Sequence, residues 1–120
     1  MSRPHHDLRV WQDAIGLVTQ LYAATADFPE IERYGLVSQI RRAAVSVPAN
    51  IAEGAARGSP KEFARFLRMS RGSLAELDTH LRVAANLTFL SDVQRFLDKI
   101  ERLQVCLTAL IKSQSIRGRT

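Results

Sequence analysis

The chain has 120 residues, 46% hydrophobic and 24% charged, the composition of one globular domain with one core. No apolar run approaches the ~20 residues of a membrane span, and no apolar stretch follows Met1 as in a secretory signal. The single Cys106 excludes an intramolecular disulfide and suits a reducing compartment, so a cytoplasmic protein without a membrane partner is expected.

The net charge is +5, and it is unevenly spread. Residues 33–71 carry eight basic groups against two acidic ones, while the remainder carries nine basic and ten acidic. The basic excess therefore sits in the middle of the chain, where it can attract phosphate or acidic partners.

Residues 1–6 show no periodic pattern and are expected to be a flexible N-terminus. His5 and His6 lack a third ligand, so no metal site is expected. The first helix is predicted over about Val10–Ala26. Trp11, Ala14, Ile15, Val18, Leu21, Tyr22 and Thr25 recur at three- and four-residue steps, which makes Trp11 and Tyr22 expected core anchors. Phe28-Pro29 ends that helix, since proline disfavours a helical conformation at the preceding residue.

The second helix is predicted from Gly35 or Leu36 to Gly58, with a kink at Pro48. It has three faces. Leu36, Ile40, Ala43, Ala44, Val47, Ile51 and Ala55 form an apolar stripe. Val45, Ala49, Ala52 and Ala56 form a stripe of small residues. Gln39, Arg42, Ser46, Asn50, Glu53 and Arg57 form a polar one. Ser46 and Asn50 are placed to serve the Ala44 carbonyl that Pro48 leaves without an N–H. In a solvated polar stripe, Glu53 and Arg57 would gain a few tenths of a kcal/mol. If instead the stripe is buried between helices or subunits, Arg42, Asn50, Glu53 and Arg57 must satisfy one another. The buried network is the expected arrangement.

Ser59-Pro60-Lys61-Glu62 marks a helix start, with Ser59 as N-cap and Glu62 closing a capping box. The third helix then runs to about Asn86. Phe63, Phe66, Leu67, Ser70, Leu74, Leu77, Leu81 and Ala84 line its apolar face. Arg57, Lys61, Arg65, Arg68 and Arg71 form a basic strip and are the candidate nucleic-acid-binding residues. Ser91 to Gln94 reads as a second capping box, opening a fourth helix to about Lys112. Cys106 is expected to be a buried thiol on its flank, and residues 113–120 a flexible basic tail. The whole is predicted to be all-α: an antiparallel up-down-up-down four-helix bundle over residues 7–112.

Three stretches carry a family resemblance. They are Asp7-Leu8-Arg9-Val10-Trp11-Gln12; Tyr34-Gly35-Leu36 followed by the block from Gln39 to Gly54; and Ser59 to Glu62 with Phe63, Phe66, Leu67, Gly72, Ser73, Leu74, Glu76 and Leu77. Over about residues 7–112 the chain resembles the bacterial four-helix-bundle proteins of the 23S ribosomal RNA intervening-sequence type. The family is related to accessory proteins of diversity-generating retroelements. The resemblance implies a homopentamer, and in the retroelement subgroup a basic barrel that binds nucleic acid and a reverse transcriptase. It brings no catalytic residues and no cofactor.

Neither a nucleophile–histidine arrangement, nor a metal-ligand spacing, nor a glycine-rich phosphate loop is present in the sequence, so no enzyme is expected. The expected function is an oligomeric protein that binds structured RNA by its phosphates. The alternative is a protein-interaction scaffold or accessory subunit, for example of a reverse transcriptase. No exposed aromatic row for stacking single-stranded bases is predicted.

Overall fold

The computed structural model describes residues 4–118. Four helices, α1 (Arg9–Thr25), α2 (Leu36–Ala56), α3 (Pro60–Asn86) and α4 (Val93–Arg117), account for most of them, and there is no strand among the described residues. Each helix packs on its neighbours in sequence and α1 closes on α4, which makes a four-helix bundle of 51 × 28 × 20 Å. The expected N-terminus is divided. Met1–Arg3 lie outside the described residues, whereas Pro4–Asp7 form one 3-10 turn. The His5 and His6 rings there lie 5.0 and 5.2 Å from that of Trp11.

The core is a column of aliphatic side chains with few aromatics. Leu21, Ile40, Ile51, Leu67, Leu74, Leu77, Leu81, Phe96 and Leu107 are fully buried. Each such side chain contributes on the order of 1.5–3 kcal/mol of hydrophobic free energy. The apolar stripe of α2 and the apolar face of α3 meet as their periodicity predicts. The exceptions are Leu36, Ala55 and Phe63, which stay half-buried. Between these two helices the backbones approach closely at Gly54, where a Cβ would come within 2.7 Å of the Phe66 Cβ. Higher along the same contact the buried Ser70 hydroxyl donates to the Val47 carbonyl at 2.8 Å. At the far end Phe28 and Phe89, 5.8 Å apart, pin the α1–α2 link to the α3–α4 link.

In α1 the buried residues are Val10, Ala14, Leu17, Leu21 and Thr25. The expected face was turned too far: Ile15 and Tyr22 are about four-tenths exposed, and Trp11 is only half-buried. This helix has apolar residues nearly all round, so two adjacent faces satisfy the same period, and packing against α2 and α4 selects one.

α2 is a single helix through Pro48, not two helices broken at Val47. Ser46 and Asn50 do not serve the Ala44 carbonyl. Ser46 Oγ donates to Ala43 O and Asn50 Nδ2 to Ser46 O, each at 2.8 Å. The expected buried polar network is absent within the protomer. Arg42 is exposed, and the Glu53–Arg57 pair, at 2.7 Å, keeps about half of each side chain in solvent. Gln39 is exposed as well, while Ser46 and Asn50 are half-buried. The stripe of Val45, Ala49, Ala52 and Ala56 is also left largely uncovered.

α2 ends at Ala56 with Arg57 as C-cap, and the next residue, Gly58, has a φ of 74° in the left-handed region that glycine occupies without steric cost. Ser59 caps α3 by accepting from the Glu62 N–H at 3.3 Å. The second capping box does not form: Asp92 holds the N-cap position of α4 without a side-chain cap bond, and Gln94 Nε2 donates to Asp98 Oδ1 at 2.8 Å. Cys106 is exposed rather than buried. The helix continues to Arg117, so the stretch expected as a tail from Ser113 is helical, with Gln114 buried. Arg119 and Thr120 lie outside the described residues.

Candidate nucleic-acid interface

The five arginine and lysine candidates fall into three chemical situations. Arg57 and Arg65 are both engaged. Arg57 pairs with Glu53 at 2.7 Å, and Arg65 donates to both oxygens of Glu62, at 2.8 and 3.4 Å. Both guanidinium groups also lie over the Phe66 ring, 5.0 and 4.6 Å from its centroid. These contacts fix the two side chains against the α2–α3 crossing and neutralise part of their charge.

Arg71 turns the other way, toward α4. Its Nη1 donates to Thr108 Oγ1 at 3.3 Å, while Gln104 Nε2 donates to its backbone carbonyl at 3.1 Å. It is half-buried and belongs to the α3–α4 contact as much as to the surface.

Lys61 and Arg68 differ from the other three. Both are exposed, and neither forms an ion pair among the described residues. They line one groove of about 210 Å³, whose other wall is Gln114, Ser115 and Gly118 at the end of α4. Seven residues separate Lys61 from Arg68, so they project from nearly the same side of α3, two turns apart. Sequence reasoning found these two cations but not the α4 wall. Gln114 has no charge and no apolar period to mark it, and it meets α3 only through the tertiary fold.

The basic cluster acts visibly on Glu62. Its carboxyl is held below the usual value of 4.5, first by the hydrogen bond from Arg65 and then by the positive charge of Arg65, Arg57 and Lys61, with burial opposing. The same bond raises Arg65. The capping box is therefore half-formed: Ser59 caps as expected, while the Glu62 carboxylate is taken by Arg65. A lowered carboxyl stabilises the fold above its unfolded pKa, and that stability is lost as pH falls through the lower folded value. Glu62→Gln is thus expected to cost stability near neutrality and progressively less below about pH 4.5, which urea unfolding at the two pH values would read.

Tyr22, expected as a core anchor, and Tyr34 both reach the surface. Tyr34 is 87% exposed and Tyr22 42%. Both border an open groove of about 490 Å³ with Arg33, Arg41 and Arg42, at the other end of α2 from Arg57. No three His, Cys, Asp or Glu side chains among the described residues are placed to hold a metal ion. No described helix is long and apolar enough to cross a membrane.

Comparison with known families gives one match: the family described as 23S rRNA-intervening sequence protein, over residues 6–109. No curated protein matches the chain.

Proposed function

The chain belongs to the 23S rRNA-intervening sequence protein family, and we propose that it is a non-enzymatic, cytoplasmic oligomer that binds structured RNA. The observation that carries this reading is the pair of unpaired cations, Lys61 and Arg68, lining the groove between α3 and the end of α4. Two cations on one side of a helix, with a neutral hydrogen-bonding wall opposite, suit adjacent backbone phosphates. In a double-helical RNA the deep, narrow major groove keeps base edges from side chains, so recognition there is by backbone shape. Arg57 and Arg65 flank the groove and add to its field, each already sharing its charge with a glutamate. Arg71 lies on its far side.

The oligomer is proposed from α2. Its small residues Ala49, Ala52 and Ala56 and its polar residues Asn50, Glu53 and Arg57 are largely uncovered in the protomer, and a neighbouring copy would cover them, while Arg42, about two turns before Asn50, stays at the surface. A homopentamer is the assembly we propose. There the polar stripe would become the network that the single chain does not form.

Light scattering on purified protein, with absorbance at 260 and 280 nm, tests both parts. The expected result is a mass near five times 13.4 kDa and a raised 260 nm signal that high salt removes. The log of affinity for RNA should fall against log salt with a slope of about −4 if about four phosphates are neutralised. A salt-independent affinity overturns the RNA reading, and a monomer overturns the oligomer.

A further inference from the structure

We propose that the groove between the end of α1 and the first half of α2 is a separate site, for one nucleotide unit of a single-stranded nucleic acid. Tyr34 would be its stacking platform, Arg41 a fixed guanidinium beside it, and Arg42 the phosphate ligand. Three observations meet here.

The first is the fixing of Arg41. Its Nε donates to Thr25 Oγ1 at 3.0 Å and its Nη2 to the Tyr22 carbonyl at 3.1 Å. Its Cζ stands 4.4 Å from the centroid of the Tyr22 ring. A guanidinium held to this extent has already lost its rotamer freedom, so it binds a ligand at little further entropic cost. Thr25 itself is buried and donates back to Leu21 O at 2.7 Å, which makes the support rigid.

The second is the exposure of aromatic surface beside cations. Tyr34 precedes α2 and stands nearly bare to solvent, with the Arg33 guanidinium 5.6 Å from its ring centroid. A tyrosine this exposed contributes little to its own fold. Aromatic rings with arginines alternating around them are the means by which proteins hold unstacked bases, the ring taking the base and the cation the phosphate. Arg42, exposed and without an ion pair among the described residues, is the free cation for that phosphate. Arg33 is less free, since Glu30 lies 3.4 Å from it.

The third is size. The groove, about 490 Å³, falls within the range of about 300–1,000 Å³ usual for small-ligand sites. A duplex would keep its bases stacked inside the helix and leave Tyr34 unused, so the chemistry selects a single strand. Arg42 and Arg57 lie fifteen residues apart on α2, a rise of about 22 Å. The groove is thus well separated from the Lys61–Arg68 site, and this proposal does not rest on that one.

The test is fluorescence anisotropy with a short labelled oligoadenylate, run in parallel with a structured RNA. Tyr34→Ala and Arg42→Ala are each expected to weaken oligoadenylate binding about tenfold. Tyr34→Phe should bind as the native protein does, because the ring is retained. Lys61→Ala with Arg68→Ala should weaken only the structured RNA. Neither Tyr34 nor Arg42 is part of the core, and circular dichroism would verify that the variants fold. Unchanged oligoadenylate binding by Tyr34→Ala overturns the proposal. So does a drop in solution mass on the same substitution, which would make this groove a contact between copies of the chain. If the native protein binds structured RNA but no oligoadenylate, the groove proposal falls and the α3 reading stands. The converse result leaves the groove and removes the α3 reading.

Discussion

Replacing Lys61 and Arg68 together by alanine is expected to weaken structured-RNA binding by about a hundredfold near 0.1 M salt. The salt slope should flatten from about −4 to about −2. The estimate follows from counterion release. Each neutralised phosphate contributes roughly 0.9 of a decade in affinity per decade of salt, so losing two contacts removes nearly two decades. The fold should be untouched, because both side chains are exposed and neither holds an ion pair among the described residues. The matched control is Arg57→Ala with Arg65→Ala. Those arginines must loosen their hold on Glu53 and Glu62 before they can serve a phosphate. Breaking these exposed pairs offsets part of what each phosphate contact gains, so the control is expected to lose clearly less affinity than the first variant. A larger loss in the control would move the contact to the Phe66 side of α3.

How much of this was legible beforehand depends on whether the signal is local. The start of α3 was readable because Ser59, Pro60 and Glu62 act within one turn, and its buried face because eight residues repeat at the helical period. The Glu53–Arg57 pair was readable for the same reason, as was the apolar stripe of α2 across Pro48. What failed was what depends on a neighbour. Whether Tyr22 or Leu17 faces inward is decided by the helices against α1, since its own apolar residues allow either face. Cys106 flanks the buried face of α4, and its exposure likewise depends on what packs beside that flank. Glu62 was assigned to the helix cap, yet its own helix offers Arg65 one turn on, and the charged partner wins. The α4 wall of the basic groove and the Tyr34 groove join residues distant in sequence or outside any periodic pattern. Only the assembled bundle brings them together.

Gly54→Ala should lower the melting temperature, while the same change at Gly16 or Gly72 should raise it. In a helix interior alanine is favoured over glycine by about 0.5–1 kcal/mol, because it restricts the unfolded chain. Gly16 and Gly72 have nothing within 4 Å of the position a Cβ would take, so that gain should be realised in full. At Gly54 the new methyl would sit 2.7 Å from Phe66 Cβ, 3.1 Å from Phe63 Cδ1 and 3.3 Å from the Phe63 carbonyl. Two of those three atoms cannot swing away: one is a Cβ and one is backbone. The helices must separate, and overpacking of this kind costs about 1–3 kcal/mol, occasionally more. Net of the propensity gain, Gly54→Ala is expected to lose about 1–2 kcal/mol, a fall of roughly 4–8 °C for a chain of this size. Gly54→Leu should lose more, since no rotamer lets a branched chain leave the α2–α3 contact. The consequence reaches the RNA surface. Arg57 and Arg65 rest on the Phe66 ring that the new methyl displaces, so the clash that loosens the core also unseats the paired arginines. Lys61 and Arg68, on the other side of α3, should keep their contribution. A Gly54→Ala protein that is still folded should therefore retain most of its RNA affinity while melting earlier, with differential scanning calorimetry and anisotropy giving the two readings. If affinity fell in step with stability, the arginines on Phe66 would be the principal contact and the unpaired pair would not.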